Sequence, residues 1–300
     1  MGIMIRRCNK FNWIFLTLAL GLSACASFST PESTSTPQAT FTPEPPTATP
    51  EPMALTVNGE GITVVEFDSE VARYTAAQSA LGVDVDSTAA ASAVIDDFVA
   101  QLLLAQAARA DGFSLDEAAL QARIDSLAAE IGGAAALSQW QSDHGYSDPV
   151  FRSALKRGAE SAWMRDKIIS SVPPTAEQVH IQQILLYNEG TAQSFLLQLN
   201  GGADFDSLAF DADPITRGYL GWVPRGYLLD LKIEEAAFSL NVGGHSDVIA
   251  TDVGFHILRI LARDPERPLS PDALLALQEQ ALRKWIDGQR QTADIVLAPQ

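Results

Sequence analysis

From Leu55 to Thr63 apolar and polar residues alternate about the pair Asn58-Gly59, the pattern of two short strands joined by a two-residue turn. Past Thr63 the period lengthens. Ile95, Phe98, Val99, Leu102 and Leu103 recur along one helical face, and the spacing predicts helices near 64–81, 88–110, 115–130, 134–143 and 148–171. Thr63 with Glu66, and Ser114 with Glu117, have the spacing of capping boxes. Asp111-Gly112, Gly132-Gly133 and Gly145 punctuate the series. Pro173-Pro174 ends it, since neither residue can donate a backbone hydrogen bond.

Beyond that break the texture changes to short β-rich runs at 179–186, 220–222, 246–250 and 255–262, separated by helical stretches at 191–199 and 230–240. This describes a small α+β domain. Ser270-Pro271-Asp272 then places an N-cap before a proline at the first helical position, and the helix it opens is expected to run to about Thr292. That helix carries Leu274, Leu277, Leu282 and Trp285, too much apolar surface to stand alone.

The N-terminal end has a different character. Arg6, Arg7 and Lys10 precede an apolar run at 11–20 that is short for a membrane span, and Leu22-Ser23-Ala24 supplies small residues, so 1–24 is expected to be a signal peptide. Leu22-Ser23-Ala24-Cys25 resembles the bacterial lipobox, which implies a lipid on Cys25 and attachment to a membrane; an ordinary signal peptide with an incidental cysteine is the plainer reading. Residues 25–52 form a tether of Ser, Thr, Pro, Glu and Ala, too poor in apolar residues to fold. Pro-rich composition extends such a chain by about 3 Å per residue.

At 300 residues and 47% hydrophobic composition, the chain can bury two modest cores. Its net charge of -17 repels phosphate backbones, and removal of the leader's three cations leaves the remainder more acidic still, so nucleic acid is not an expected partner. Cys8 and Cys25 are the only cysteines, and loss of the leader leaves no internal disulfide. His144, His180, His245 and His256 fall on separate elements, without the spacing of a metal site, and no metal or other cofactor is expected. Ser239 and Ser246 lie near histidines, but no Gly-Xaa-Ser-Xaa-Gly elbow accompanies them.

Three stretches carry a resemblance: Gly218-Tyr219-Leu220-Gly221-Trp222 with Arg225-Gly226, Ala236-Ala237-Phe238-Ser239-Leu240, and Gly254-Phe255-His256-Ile257-Leu258. Together they resemble a parvulin-type peptidyl-prolyl isomerase. Val57-Asn58-Gly59 ahead of a helical block, with Val172-Pro173-Pro174-Thr175 behind it, resembles the N-terminal chaperone region of SurA- and PrsA-type foldases. The resemblance implies an α+β protein: a helical chaperone domain at 53–174, a parvulin-like antiparallel-sheet domain inserted at 175–267, and a C-terminal segment, 268–300, whose helix returns to the helical domain.

It also implies a site. Parvulins place two histidines beside a Cys or Asp and a hydroxyl, next to an apolar proline pocket. Carried over, the second histidine is His256 and the hydroxyl is Thr251. The first histidine position holds Gln183; His180 is three residues early, on the opposite strand face. The acidic position falls on Asp213, and the pocket on Leu220, Leu228 and Ile233, where the family more often has an aromatic ring. Gln183 cannot titrate as an imidazole does. The implied activity is therefore proline isomerisation with reduced turnover, outside the cytoplasm, on unfolded exported polypeptides and their Xaa-Pro segments. A non-catalytic holdase with a degenerate site is the alternative reading, and a solute-binding or adhesive surface lipoprotein a second.

Overall fold

The computed structural model describes residues 51–298. The expected leader, Cys25 and nearly all of the expected tether lie outside the described residues.

The first strands, β1 (Met53–Val57) and β2 (Glu60–Thr63), pair antiparallel around Asn58 and Gly59. Both turn residues have positive φ, 51° and 82°, as this tight turn requires. Five helices follow: α1 (Val64–Ala80), α2 (Ser87–Ala110), α3 (Glu117–Glu130), α4 (Ala134–Asp143) and α5 (Asp148–Ser170). Thr63 caps α1, its hydroxyl accepting from Glu66 N–H at 3.2 Å. The expected Ser114–Glu117 box is replaced two residues on, where Asp116 caps α3 by accepting from Ala119 N–H at 2.8 Å. A carboxylate there satisfies the same orphan donors as a serine would.

By length and apolarity α2 could cross a membrane, but its face of Val94, Phe98, Val99, Leu102 and Leu103 is buried with Leu55, Val57 and Ile62 of the hairpin. It is the core helix of this half. Glu66, Arg157 and Glu160 are nonetheless buried there. Arg157 donates to Glu66 at 2.6 Å, and Glu160 accepts from Arg109 at 2.5 Å.

The second half is a four-stranded antiparallel sheet in the order β4-β3-β6-β5, built from β3 (Thr175–Leu186), β4 (Tyr219–Pro224), β5 (Ile249–Thr251) and β6 (Gly254–Pro268). α6 (Glu189–Asn200) and α7 (Phe205–Ala212) cover one face, over Ile184 and Ile257. α8 (Leu231–Ser239) covers the other, over Val179, Ile181, Leu258 and Ile260. The sequence reading lacked α7, although Asp204 caps it and Phe205, Leu208 and Ala209 give it an apolar face. The run expected as strand at 246–250 is strand only from Ile249; Ser246 still gives its N–H to Leu258 O at 2.9 Å, and its hydroxyl accepts from Leu258 N–H at 2.9 Å.

The last helix, α9 (Pro271–Arg290), returns to the helical half. Trp285 packs against the first core, Gln278 donates to Ile169 O at 3.3 Å, and Arg290 donates to Asp96 at 2.7 Å. The chain then adds β7 (Ile295–Leu297), an unexpected strand that pairs with β1 to give the order β2-β1-β7. The helical half is thus closed by both ends of the described chain, with the sheet domain inserted between them.

Candidate active site

Strand alternation determines which side chains meet. On β3, Val179, Ile181 and Gln183 share the face toward α8, and on β6 so do His256, Leu258 and Ile260. Gln183 and His256 come together there. Imidazole Nδ1 lies 3.0 Å from Gln183 Oε1, and Nε2 lies 3.0 Å from the Thr251 hydroxyl. His256 is buried, and that burial lowers its pKa below the ordinary 6.5; the neighbouring Asp230 carboxylate pulls weakly the other way.

The ring is therefore neutral near pH 7, and hydrogen-bond bookkeeping gives the chain a direction. With Gln183 Oε1 as acceptor, Nδ1 carries the proton and donates, so Nε2 accepts from Thr251. Turning the amide over reverses every step: Gln183 donates to Nδ1, Nε2–H donates to Thr251, and the hydroxyl donates to Gly254 O, 3.2 Å away. Val253 N–H donates to the same hydroxyl at 3.3 Å in either case. The network has two polarities and carries no net charge.

Two glycines allow this geometry. Gly218 has φ 69°, and a Cβ on it would sit 1.7 Å from Gln183 O; the Gln183 N–H donates to Gly218 O at 2.8 Å. Gly254, with φ 147°, lies where a Cβ would meet Leu186 O at 2.7 Å. Only glycine permits both approaches.

The other expected site residues are placed differently. Asp213 is not bonded to His256, Gln183 or Thr251. Its carboxylate accepts from the Thr216 hydroxyl and from the N–H groups of Thr216 and Ile215, which lower its pKa. The Thr216 hydroxyl in turn accepts from Gly218 N–H at 3.1 Å. Asp213 thus shapes the turn that presses Gly218 onto Gln183; with α7 inserted before it, the carboxylate is used up locally. Leu228 and Ile233 belong to one apolar cluster with Leu258 and Ile249, but Ile233 is inside the core at 6% exposed. Leu220 stands in the bulge of β4, 40% exposed, and is not part of that cluster. His180 lies on the far face, stacked on Trp222.

Two residues that shape the site were missed. Asp230 caps α8 through Lys232 and Ile233 N–H, and its carboxylate opposes the lowering of the His256 pKa. Glu234 reaches back from the first turn of α8 to accept from Gly226 N–H at 3.0 Å and Leu228 N–H at 3.3 Å, which fixes the loop carrying Leu228. The Asp-Xaa-Xaa-Xaa-Glu spacing ahead of an apolar helix was the available signal.

Residues 46–146 match the family model of the SurA-like N-terminal domain, and residues 174–274 match that of the PPIC-type PPIase domain. The foldase protein PrsA of Geobacillus sp. (strain WCH70) is 33% identical over 98 residues, 31% of this chain and 35% of that protein. A parvulin-like PPIase of Rickettsia bellii (strain RML369-C) is 31% identical over 134 residues, 40% of this chain and 46% of that one. The chain thus spans between about a third and a half of the length of these curated relatives. Among solved structures, the peptidylprolyl isomerase PrsA from Bacillus cereus aligns over 80% of this chain and 86% of its own, at 18% identity and a TM-score of 0.42. By these matches the chain carries a SurA-like N-terminal domain followed by a PPIC-type PPIase domain.

Proposed function

We propose that the chain is an extracytoplasmic foldase, a parvulin-type peptidyl-prolyl cis–trans isomerase that acts on Xaa-Pro segments of unfolded exported polypeptides. The observation that carries this reading is the part-buried, uncharged chain Gln183–His256–Thr251 on the α8 face of a PpiC-type domain. An Xaa-Pro bond isomerises over a barrier of about 20 kcal/mol because rotation breaks amide conjugation. No covalent step is needed. A desolvated, preorganised set of donors and acceptors that favours the twisted amide, beside an apolar seat for the pyrrolidine ring, lowers the barrier. His256, Gln183 and Thr251 are the proposed polar groups, Leu228 and Leu220 the proposed apolar contacts, and Ile233 the packing beneath Leu228. Asp213 is proposed as a positioning residue acting through Thr216 and Gly218.

One feature favours a second reading, a holdase with weak or no turnover: the position of the first parvulin histidine holds Gln183, which orients His256 but does not titrate. The two readings separate on two assays with the full chain. A protease-free assay on a proline peptide reads isomerisation, and an aggregation assay on a denatured client reads holding. Turnover with suppression supports the foldase, suppression alone supports the holdase, and neither result rejects both.

The chain is further proposed to be exported and held to a membrane by a lipid on Cys25, which rests on the Leu22-Ser23-Ala24-Cys25 motif behind its basic and apolar leader. Multiple acyl chains, rather than one, give stable retention. Fatty-acid labelling of the wild type but not of Cys25→Ser tests this; label retained in the variant rejects it.

A further inference from the structure

A cavity of about 590 Å3 lies between β2 and one side of α5. Strand parity determines which backbone groups face it. Val57 and Glu60 flank a two-residue turn and form a hydrogen-bonded pair, as do Leu55 and Ile62, so the N–H and C=O of Gly61 point away from β1. The far side of β1 obeys the same parity: Asn58 N–H donates to Asp294 O at 2.7 Å, and Ala298 N–H donates to Ala54 O at 2.9 Å, both toward the β7 side. β2 is thus a sheet edge, and Gly61 and Thr63, one strand repeat apart, both line the cavity. The outward N–H and C=O of Gly61 and the N–H of Thr63 have no hydrogen-bond partner among the described residues.

The opposite wall is chemically matched to a peptide chain. The N-terminus of α5 has no side-chain cap, and Ser153, Lys156 and Arg157 line the wall. Arg157 is 8% exposed; it gives Nη2 to Glu66 and Nε to Gln101, and its Nη1 has no partner among the described residues. Four lining side chains are glutamates and three are cations, so the slot carries one net negative charge in a chain already at -17. Sheet edges are normally blunted against strangers. Here α5 stands across the edge, with the cavity between them.

We propose that this slot binds an extended, basic segment of unfolded polypeptide as a fourth strand on β2, held through the backbone of Gly61 and the N–H of Thr63. Main-chain pairing makes the contact tolerant of sequence, and the excess of carboxylates sets its preference for Lys or Arg. The proposal rests on the foldase reading only in supposing that the chain handles unfolded polypeptides; it places a client contact in the helical half, apart from His256.

The test uses the full chain and a fluorescent, proline-free peptide of alternating Lys and Ala. Gly61→Ala and Gly61→Pro form a matched pair. A Cβ at either meets the flexible Met53 Sδ at 2.6 Å, but only proline removes the outward N–H. Gly61→Ala is expected to bind like the wild type and Gly61→Pro about tenfold more weakly. The peptide's backbone N-methylated analogue and an alternating Glu-Ala peptide are expected to bind more weakly to the wild type. Equal binding by Gly61→Pro overturns the proposal, as does equal binding of the N-methylated peptide or no binding of the parent. If circular dichroism shows Gly61→Pro unfolded, the N-methylated peptide decides. Absence of isomerase turnover from a chain that still binds the peptide counts against the isomerase alone.

Discussion

Gln183 and His256 meet diagonally across the two central strands of the sheet, Gln183 lying opposite Leu258 and His256 two residues before it, with Oε1 and Nδ1 3.0 Å apart. The amide fixes the ring without adding a second titrating group, so the site has one ionisation to follow.

That ionisation predicts a pH profile. Burial places the His256 pKa below 6.5, so isomerase activity is expected to be level above about pH 7 and to fall through a single acid limb below 6.5. The sign for stability is the same. The unfolded chain binds the proton more readily, so the contribution is complete above 6.5 and is lost as pH falls through the lower folded value. Asp230→Asn removes the influence that raises the pKa and is expected to move the acid limb to lower pH. Activity and melting temperature between pH 5 and 8 check both; a limb unmoved by His256→Asn contradicts the assignment.

Gly218→Ala places a Cβ 1.7 Å from Gln183 O at a φ of 69°, where the backbone on both sides is fixed. A loss of stability of about 1–3 kcal/mol is expected, together with lower isomerase activity, because Gln183 moves. Gly221→Ala is the control: its φ is 78°, but its Cβ would meet nothing within 4 Å. Urea denaturation of the pair measures the difference, and equal losses contradict the close-approach argument.

The buried pair Glu66–Arg157 sits far from the sheet domain, with both side chains under one-tenth exposed. Arg157→Met leaves a buried carboxylate without its guanidinium and is expected to cost about 3–5 kcal/mol, whereas Glu66→Leu with Arg157→Met is expected to recover much of it. Chemical denaturation gives both values, and a double variant as unstable as the single one contradicts the desolvation account.

Much of this fold is legible in the sequence where period and punctuation agree. The five helices of the first half follow from apolar stripes bounded by Gly and Pro, and the hairpin follows from Asn58-Gly59. α7 is harder to read because its eight residues barely complete two turns. β7 is harder still: three residues become a strand only because β1 offers an unpaired edge from the other end of the chain. At the site, the parvulin resemblance singled out Gln183 and His256, and strand parity put His180 on the other face. Asp213 misled because an acid before a tight turn looks the same in sequence whether it serves a histidine or its own backbone. Glu234 acts through a loop contact and Asp230 through a helix cap, neither of which strand and helix periods encode.

The most direct test of the account is the rate of cis–trans exchange of a proline peptide, followed by NMR without protease, in the wild type, His256→Ala and Gln183→His. The wild type is expected to accelerate exchange, His256→Ala to lose at least about tenfold in kcat/KM with its fold intact, and Gln183→His to gain. Exchange no faster than in buffer, or a folded His256→Ala as active as the wild type, contradicts the assignment of His256 to catalysis.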